Sequence, residues 1–217
     1  MPEIIFSGPE GRLEGRYHPQ NRIDADIAII LHPHPQYGGT MNNKVTYNLH
    51  YCFYRLGFAV LRFNFRGVGR SQGEFDFGNG ELSDAAAALD YIQSQHPNTK
   101  NCWVAGFSFG AWVGMQLLMR RPELTGFVAV APPANLYDFS FLAPCPSSGL
   151  VINGTADSVV PPADVKSFVD RLNDQKGITI THMTVAGAGH FFSNGYMENL
   201  NKNVSDYVAR RLTEKTR

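Results

Sequence analysis

The sequence predicts an α/β protein with a mainly parallel central sheet of about eight strands and helices on both faces. Three observations predict it. Short apolar runs alternate with longer stretches at helical spacing. Gly and Pro punctuate the joins between them. Several of the runs are apolar at every position, as strands covered on both faces require. The chain has 217 residues, 43% of them hydrophobic and 12% aromatic, enough for one sizeable core and short for two. A single domain over residues 1–217 is therefore expected.

Residues 4–6 and 12–17 are short runs around Gly8-Pro9-Glu10-Gly11 and read as an antiparallel hairpin at one edge of the sheet. Residues 27–31 form the first strand buried on both faces. It ends in His32-Pro33-His34-Pro35-Gln36-Tyr37-Gly38-Gly39, where two prolines cannot continue a central strand. A helix over 43–56 stops at Gly57, and a strand over 58–63 feeds the glycine-rich stretch 64–73. The alanine-rich residues 83–95 predict a helix closed by Pro97, followed by a strand at 102–105 and a helix at 108–119. Further strands are expected at 127–130, 150–152 and 178–185, with helices at 163–172 and 198–212. Residues 132–148, rich in Pro, Ser and aromatics, read as a loop with room for one helical turn.

Composition excludes several function classes. Lys plus Arg and Asp plus Glu each total 19, so no net field gathers nucleic acid or anionic lipid. No run of apolar residues is long enough for a membrane helix, and the N-terminus lacks an export pattern. Cys52, Cys102 and Cys145 are odd in number and widely spaced, which predicts free thiols in a cytoplasmic protein. A neutral surface with many aromatics admits a homodimer.

The chemistry centres on Gly106-Phe107-Ser108-Phe109-Gly110, between a predicted strand and a predicted helix. A serine at the tip of such a turn adopts a strained backbone, and small neighbours two residues either side prevent collisions. The pattern alone also fits an ordinary surface serine in a soft turn; its placement is the stronger signal. A serine hydroxyl needs an imidazole to take its proton and a carboxylate to orient that imidazole. Asp157 follows the strand at 150–152, and His190, in Gly189-His190-Phe191-Phe192, follows the last strand. Taken singly, Asp157 reads as a turn or cap residue and His190 as a structural histidine. Together the three lie in the order Ser, Asp, His at the ends of strands, where open α/β sheets build their sites.

Acyl transfer also needs donors for the developing oxyanion. The amide of Phe109 is one. In residues 32–36 the prolines lack an N–H, so the second is expected from His34, with Gln36 as the alternative. His32 and His34 also have the spacing of a metal pair, but no further ligand cluster accompanies them, so neither metal nor cofactor is expected. Arg66-Gly67-Val68-Gly69-Arg70 lacks the Lys-Ser/Thr of a phosphate loop and reads as a tight turn with a structural arginine.

On these residues the chain resembles the α/β-hydrolase superfamily over nearly its whole length. Residues 64–73 resemble its loop after the fourth strand, residues 154–161 its acid loop, and residues 189–192 its histidine loop. Asn64 stands where many members carry an aspartate outside the triad, and His32-Pro33 replaces the more usual His-Gly. The closest resemblance is to short bacterial hydrolases whose third strand is followed by His-Pro-His-Pro and Gly-Gly-Thr-Met, here residues 32–35 and 38–41. Dienelactone hydrolases and Xaa-Pro dipeptidyl peptidase-like enzymes are distant relatives. The resemblance implies the α/β-hydrolase fold with no cap domain, since only 132–148 occupy the place of a cap.

The expected activity is hydrolysis of a carboxylic ester or thioester of a small-molecule acyl substrate, with Ser108 as nucleophile, His190 as base and Asp157 as its orienter. Tyr37, Gly38, Phe191 and Phe192 are the expected substrate contacts. Two alternatives are a peptidase or amidase with the same triad, and a noncatalytic binding module on the same fold.

Overall fold

A computed structural model describes residues 2–215 of the chain. In chain order its elements are β1 (Glu3–Gly8), β2 (Gly11–His18), β3 (Ile27–Leu31), a 3-10 turn (Pro35–Tyr37), α1 (Lys44–Arg55), β4 (Ala59–Phe63), α2 (Asn79–Gln95), β5 (Cys102–Phe107), α3 (Phe109–Arg120), β6 (Leu124–Val130), β7 (Gly149–Gly154), α4 (Pro162–Asn173), β8 (Ile180–Val185) and α5 (Tyr196–Lys215). The eight strands form one sheet in the order β1-β2-β4-β3-β5-β6-β7-β8. β1 and β2 form the antiparallel hairpin, β2 runs antiparallel to β4, and the pairs from β4 to β8 are parallel. This is the α/β-hydrolase architecture expected from the sequence.

Strand periodicity divides the core in two. Ile27, Ile29 and Leu31 pack on one face with α2, α3 and α4, through residues such as Leu89, Met115 and Phe168. Their neighbours Ala28 and Ile30 pack on the other with α1 and α5, through Leu49, Phe53, Val204 and Tyr207. A strand buried on both sides has no polar position to spare, which explains the uninterrupted apolar runs.

Several element boundaries differ from expectation. α2 starts at Asn79 rather than 83, because the Glu81 carboxylate accepts the N–H of Gly78 at 2.7 Å and of Asp76 at 3.0 Å and thereby caps the helix. β6 and β7 start earlier than 127 and 150: a Cβ on Gly126 would lie 2.7 Å from the Trp103 ring, and one on Gly149 2.2 Å from the Phe127 ring. These glycines lie inside strands and make room for aromatic rings across the sheet. Residues 131–148, between β6 and β7, contain no helix. Cys52, Cys102 and Cys145 are all buried free thiols.

Candidate active site

Ser108 sits at the junction of β5 and α3 with φ +54° and ψ −120°, a backbone conformation rare for a residue with a side chain. Its N–H donates to Val130 O at 2.9 Å, which anchors the turn to β6. The flanking glycines are required by contact. A Cβ on Gly106 would lie 2.3 Å from Gly110 O, and one on Gly110 would lie 2.4 Å from Leu31 O. The turn is thus so tight that β3, β5 and the start of α3 meet backbone to backbone.

Asp157 and His190 reach one another from the loops after β7 and β8. The loops are tied by two backbone bonds, Thr155 N–H to Val185 O at 3.0 Å and Ala156 N–H to Ala188 O at 2.9 Å, and by the Gly187 N–H donating to the Thr155 hydroxyl at 2.8 Å. His190 Nδ1 and Asp157 Oδ2 are 2.8 Å apart, and Asp157 Oδ1 accepts the N–H groups of Val159 and Val160, each at 2.9 Å. Burial alone would raise the Asp157 pKa. The bonds from His190, Val160 and Val159 outweigh it and hold the carboxyl below its ordinary range. An ionised Asp157 makes Nδ1 the protonated nitrogen of His190 and leaves Nε2 as the acceptor.

The loop after β3 forms the wall opposite. His32 is fully buried, with Nδ1 2.7 Å from Pro33 O and Nε2 accepting the Phe65 N–H at 3.0 Å. Burial lowers its pKa to about 4, so it is neutral, and both ring nitrogens are engaged by backbone. Asn64 Oδ1 accepts the Met41 N–H at 2.8 Å, closing the far end of the same loop. The Gln36 N–H, the alternative oxyanion donor, instead donates to the His34 ring Nδ1 at 3.2 Å, so that position is corrected. Among the described residues no acceptor meets the N–H of His34. The Phe109 N–H, first in α3, has no intrahelical acceptor either.

A cavity of about 640 Å³ opens over these groups, a size usual for small-molecule sites. Ser108, Phe109, His34, His190, Tyr37, Gly38 and Phe191 all line it, which brings together most of the expected site. Phe192 is the exception. It is 1% exposed and packs in the core beside Leu200 and Val204. The turn after His190, with Phe192 at φ +51° and its N–H on Gly189 O at 3.1 Å, leaves Phe191 at the mouth and takes Phe192 inward.

Several contributors had no signal in the linear sequence. Leu136, Tyr137 and Val159 line the cavity from the loops after β6 and β7. Trp112 stacks on Tyr137 at 4.4 Å, and its indole N–H donates to Asp138 O at 3.0 Å, holding that wall to α3. Arg66 is structural: it grips Asp84 through Nη2 at 2.9 Å and through its own N–H at 2.9 Å in a buried pair. That pair, with the Glu81 cap, shapes the loop that places Phe75 against the His34 ring, 4.9 Å between centroids.

Known proteins resemble this chain at several levels of similarity. A model of the X-Pro dipeptidyl-peptidase (S15) family matches residues 16–151, which include Ser108 but stop short of Asp157 and His190. An uncharacterised protein of Rickettsia prowazekii is 52% identical over 212 residues, covering 96% of this chain and 89% of its own length. A crystal structure of a protein of unknown function from Agrobacterium tumefaciens, provisionally assigned to the α/β-hydrolases, is 65% identical over 98% of this chain and 97% of that one, with a TM-score of 0.95. A serine hydrolase without lid from Xanthomonas campestris is 34% identical over 96% of this chain and 94% of that one, with a TM-score of 0.85.

Proposed function

The chain belongs to the X-Pro dipeptidyl-peptidase (S15) family of α/β-hydrolases, and from that premise we propose that it is a serine hydrolase cleaving a carboxylic ester or thioester through an acyl-enzyme on Ser108. The observation that carries this reading is the 2.8 Å bond between Asp157 and His190, with His190 lining the same cavity as Ser108 on its strained turn.

In this mechanism Ser108 Oγ attacks the acyl carbon while His190 Nε2 takes its proton. Asp157 stays ionised, holds the tautomer and stabilises the imidazolium. The oxyanion forms between the N–H groups of Phe109 and His34, both without a competing acceptor among the described residues. Collapse expels the alcohol or thiol, which His190 protonates. A water, deprotonated by the same nitrogen, then releases the acid and restores Ser108. Tyr37, Gly38 and Phe191 contact the substrate. Residues 1–217 act as one catalytic domain, and three unpaired cysteines fit a reducing compartment such as the cytoplasm.

The family's description favours a second reading, amide cleavage by the same residues. A matched ester and amide of one acyl group separates the two. The primary test is intact mass after treatment with a fluorophosphonate. One adduct on the native chain and none on Ser108→Ala is expected; a folded native chain that stays unmodified would overturn the assignment.

A further inference from the structure

We propose that this site selects an electrically neutral acyl group and does not recognise the α-ammonium of a peptide, so that this member of a dipeptidyl-peptidase family is not an exopeptidase. The inference rests on the serine-hydrolase reading and adds the substrate class. An enzyme that removes dipeptides must register the chain's N-terminus. The counter-charge for that ammonium would be a carboxylate within two residue lengths of the scissile carbonyl, about 7 Å at 3.3–3.6 Å per residue. Among the described residues, no Asp, Glu, Lys or Arg lines the cavity. Its wall consists of Pro33, Tyr37, Pro133, Leu136, Tyr137, Val159 and Phe191, beside the catalytic groups, glycines and Asn43.

Three acids close to wall residues do not supply the missing charge. Glu81 acts electrostatically on Tyr137, but it is fully buried and both its oxygens accept backbone N–H groups from Asp76 and Gly78. Asp138 points its two oxygens at the N–H and hydroxyl of Ser140. Asp157 is saturated by Val159, Val160 and His190. Asn43, the one side-chain amide on the wall, has its oxygen committed to the Val45 N–H. Exposed aromatic faces attract a cation by about two- to fivefold, too little to define an exopeptidase.

Desolvation adds to this. A charged acyl group gives up water on entering the cavity and meets no Asp, Glu, Lys or Arg side chain among the described lining residues to replace it. A neutral acyl group meets no such penalty.

The test compares three p-nitrophenyl esters of equal length: butyrate, the monoester of succinate, and β-alaninate. An Xaa-Pro p-nitroanilide is added with its N-terminus free and acetylated. The expected kcat/KM for butyrate exceeds that of both charged esters at least tenfold, and the free dipeptide anilide has no advantage over its acetylated form. Leu136→Asp places a carboxylate on the exposed rim, and should raise the ratio of β-alaninate to butyrate turnover at least threefold. Equal turnover of the three esters on a chain whose Ser108 takes the fluorophosphonate would overturn charge selection alone. A free dipeptide anilide cleaved tenfold better than its acetylated form would do the same. An unlabelled Ser108 would overturn both readings.

Discussion

The floor of the cavity and its rim are built on opposite terms. On and behind the floor, each group of the candidate site is held by several independent constraints. Ser108 lies between two glycines that touch backbone, Asp157 accepts three hydrogen bonds, and His32 has both nitrogens engaged. On the rim, Tyr37, Leu136, Phe191 and Val159 are 87%, 65%, 53% and 45% exposed, and their side chains stand on loops. The difference teaches where substitution is tolerated. In the proposed mechanism the floor must hold reacting atoms to within a fraction of an ångström, whereas the rim only has to present an apolar surface of suitable shape.

That contrast can be broken or sharpened by experiment. Ser108→Ala should cut ester turnover by at least about 10⁴-fold with the fold intact, since residual rate comes only from binding and the oxyanion donors; circular dichroism alongside kcat checks both halves. Asp157→Asn should lower kcat about 10³- to 10⁴-fold with little change in KM, because the amide no longer dictates which imidazole nitrogen holds the proton. Gly110→Ala should destabilise the chain by about 3 kcal/mol, as its methyl would press on Leu31 O; urea unfolding would show the loss, and an unchanged midpoint would mean that β3 and α3 can separate cheaply.

A pH effect follows from the buried imidazoles. Burial lowers His32 to about 4 and His50 to about 3. Below about pH 6.5 the unfolded chain therefore binds protons that the folded chain does not, and stability falls with falling pH down to about 4, by up to about 1.4 kcal/mol per pH unit for each imidazole. Asp157, shifted down, acts in the same direction at lower pH: its contribution is present above its unfolded pKa and is lost as pH falls through the folded one. His32→Gln should flatten the slope of the urea midpoint between pH 6.5 and 4 and lower kcat about tenfold by loosening the His34 loop. A smaller effect is expected at the rim, where Leu136→Ala should change stability by less than about 0.5 kcal/mol. Its kcat for butyrate should stay within about threefold.

Much of the floor was legible because its chemistry depends on local pattern. Small residues at fixed offsets around Ser108, and polar residues directly after apolar runs at Asp157 and His190, survive in a linear reading. The donor role of Gln36 did not, because a side chain two residues away takes its N–H. Phe192 was misplaced because adjacent aromatics in a turn have no readable direction until the turn's φ values are known. Trp112, Tyr137, Leu136 and Val159 carried no signal at all: they are ordinary apolar residues, and their position at the cavity depends on how the segment after β6 folds back on α3.

The sequence by itself determined the α/β class, the order of elements, and the candidate residues for nucleophilic chemistry, since each follows from periodicity and short-range spacing. Only the tertiary structure decided which of them share a cavity, which N–H groups stay free, and that, among the described residues, no Asp, Glu, Lys or Arg lines the wall. Those depend on contacts between residues far apart in the chain, such as Asp157 with His190 and His32 with Phe65, which form only when the sheet brings the strand ends together.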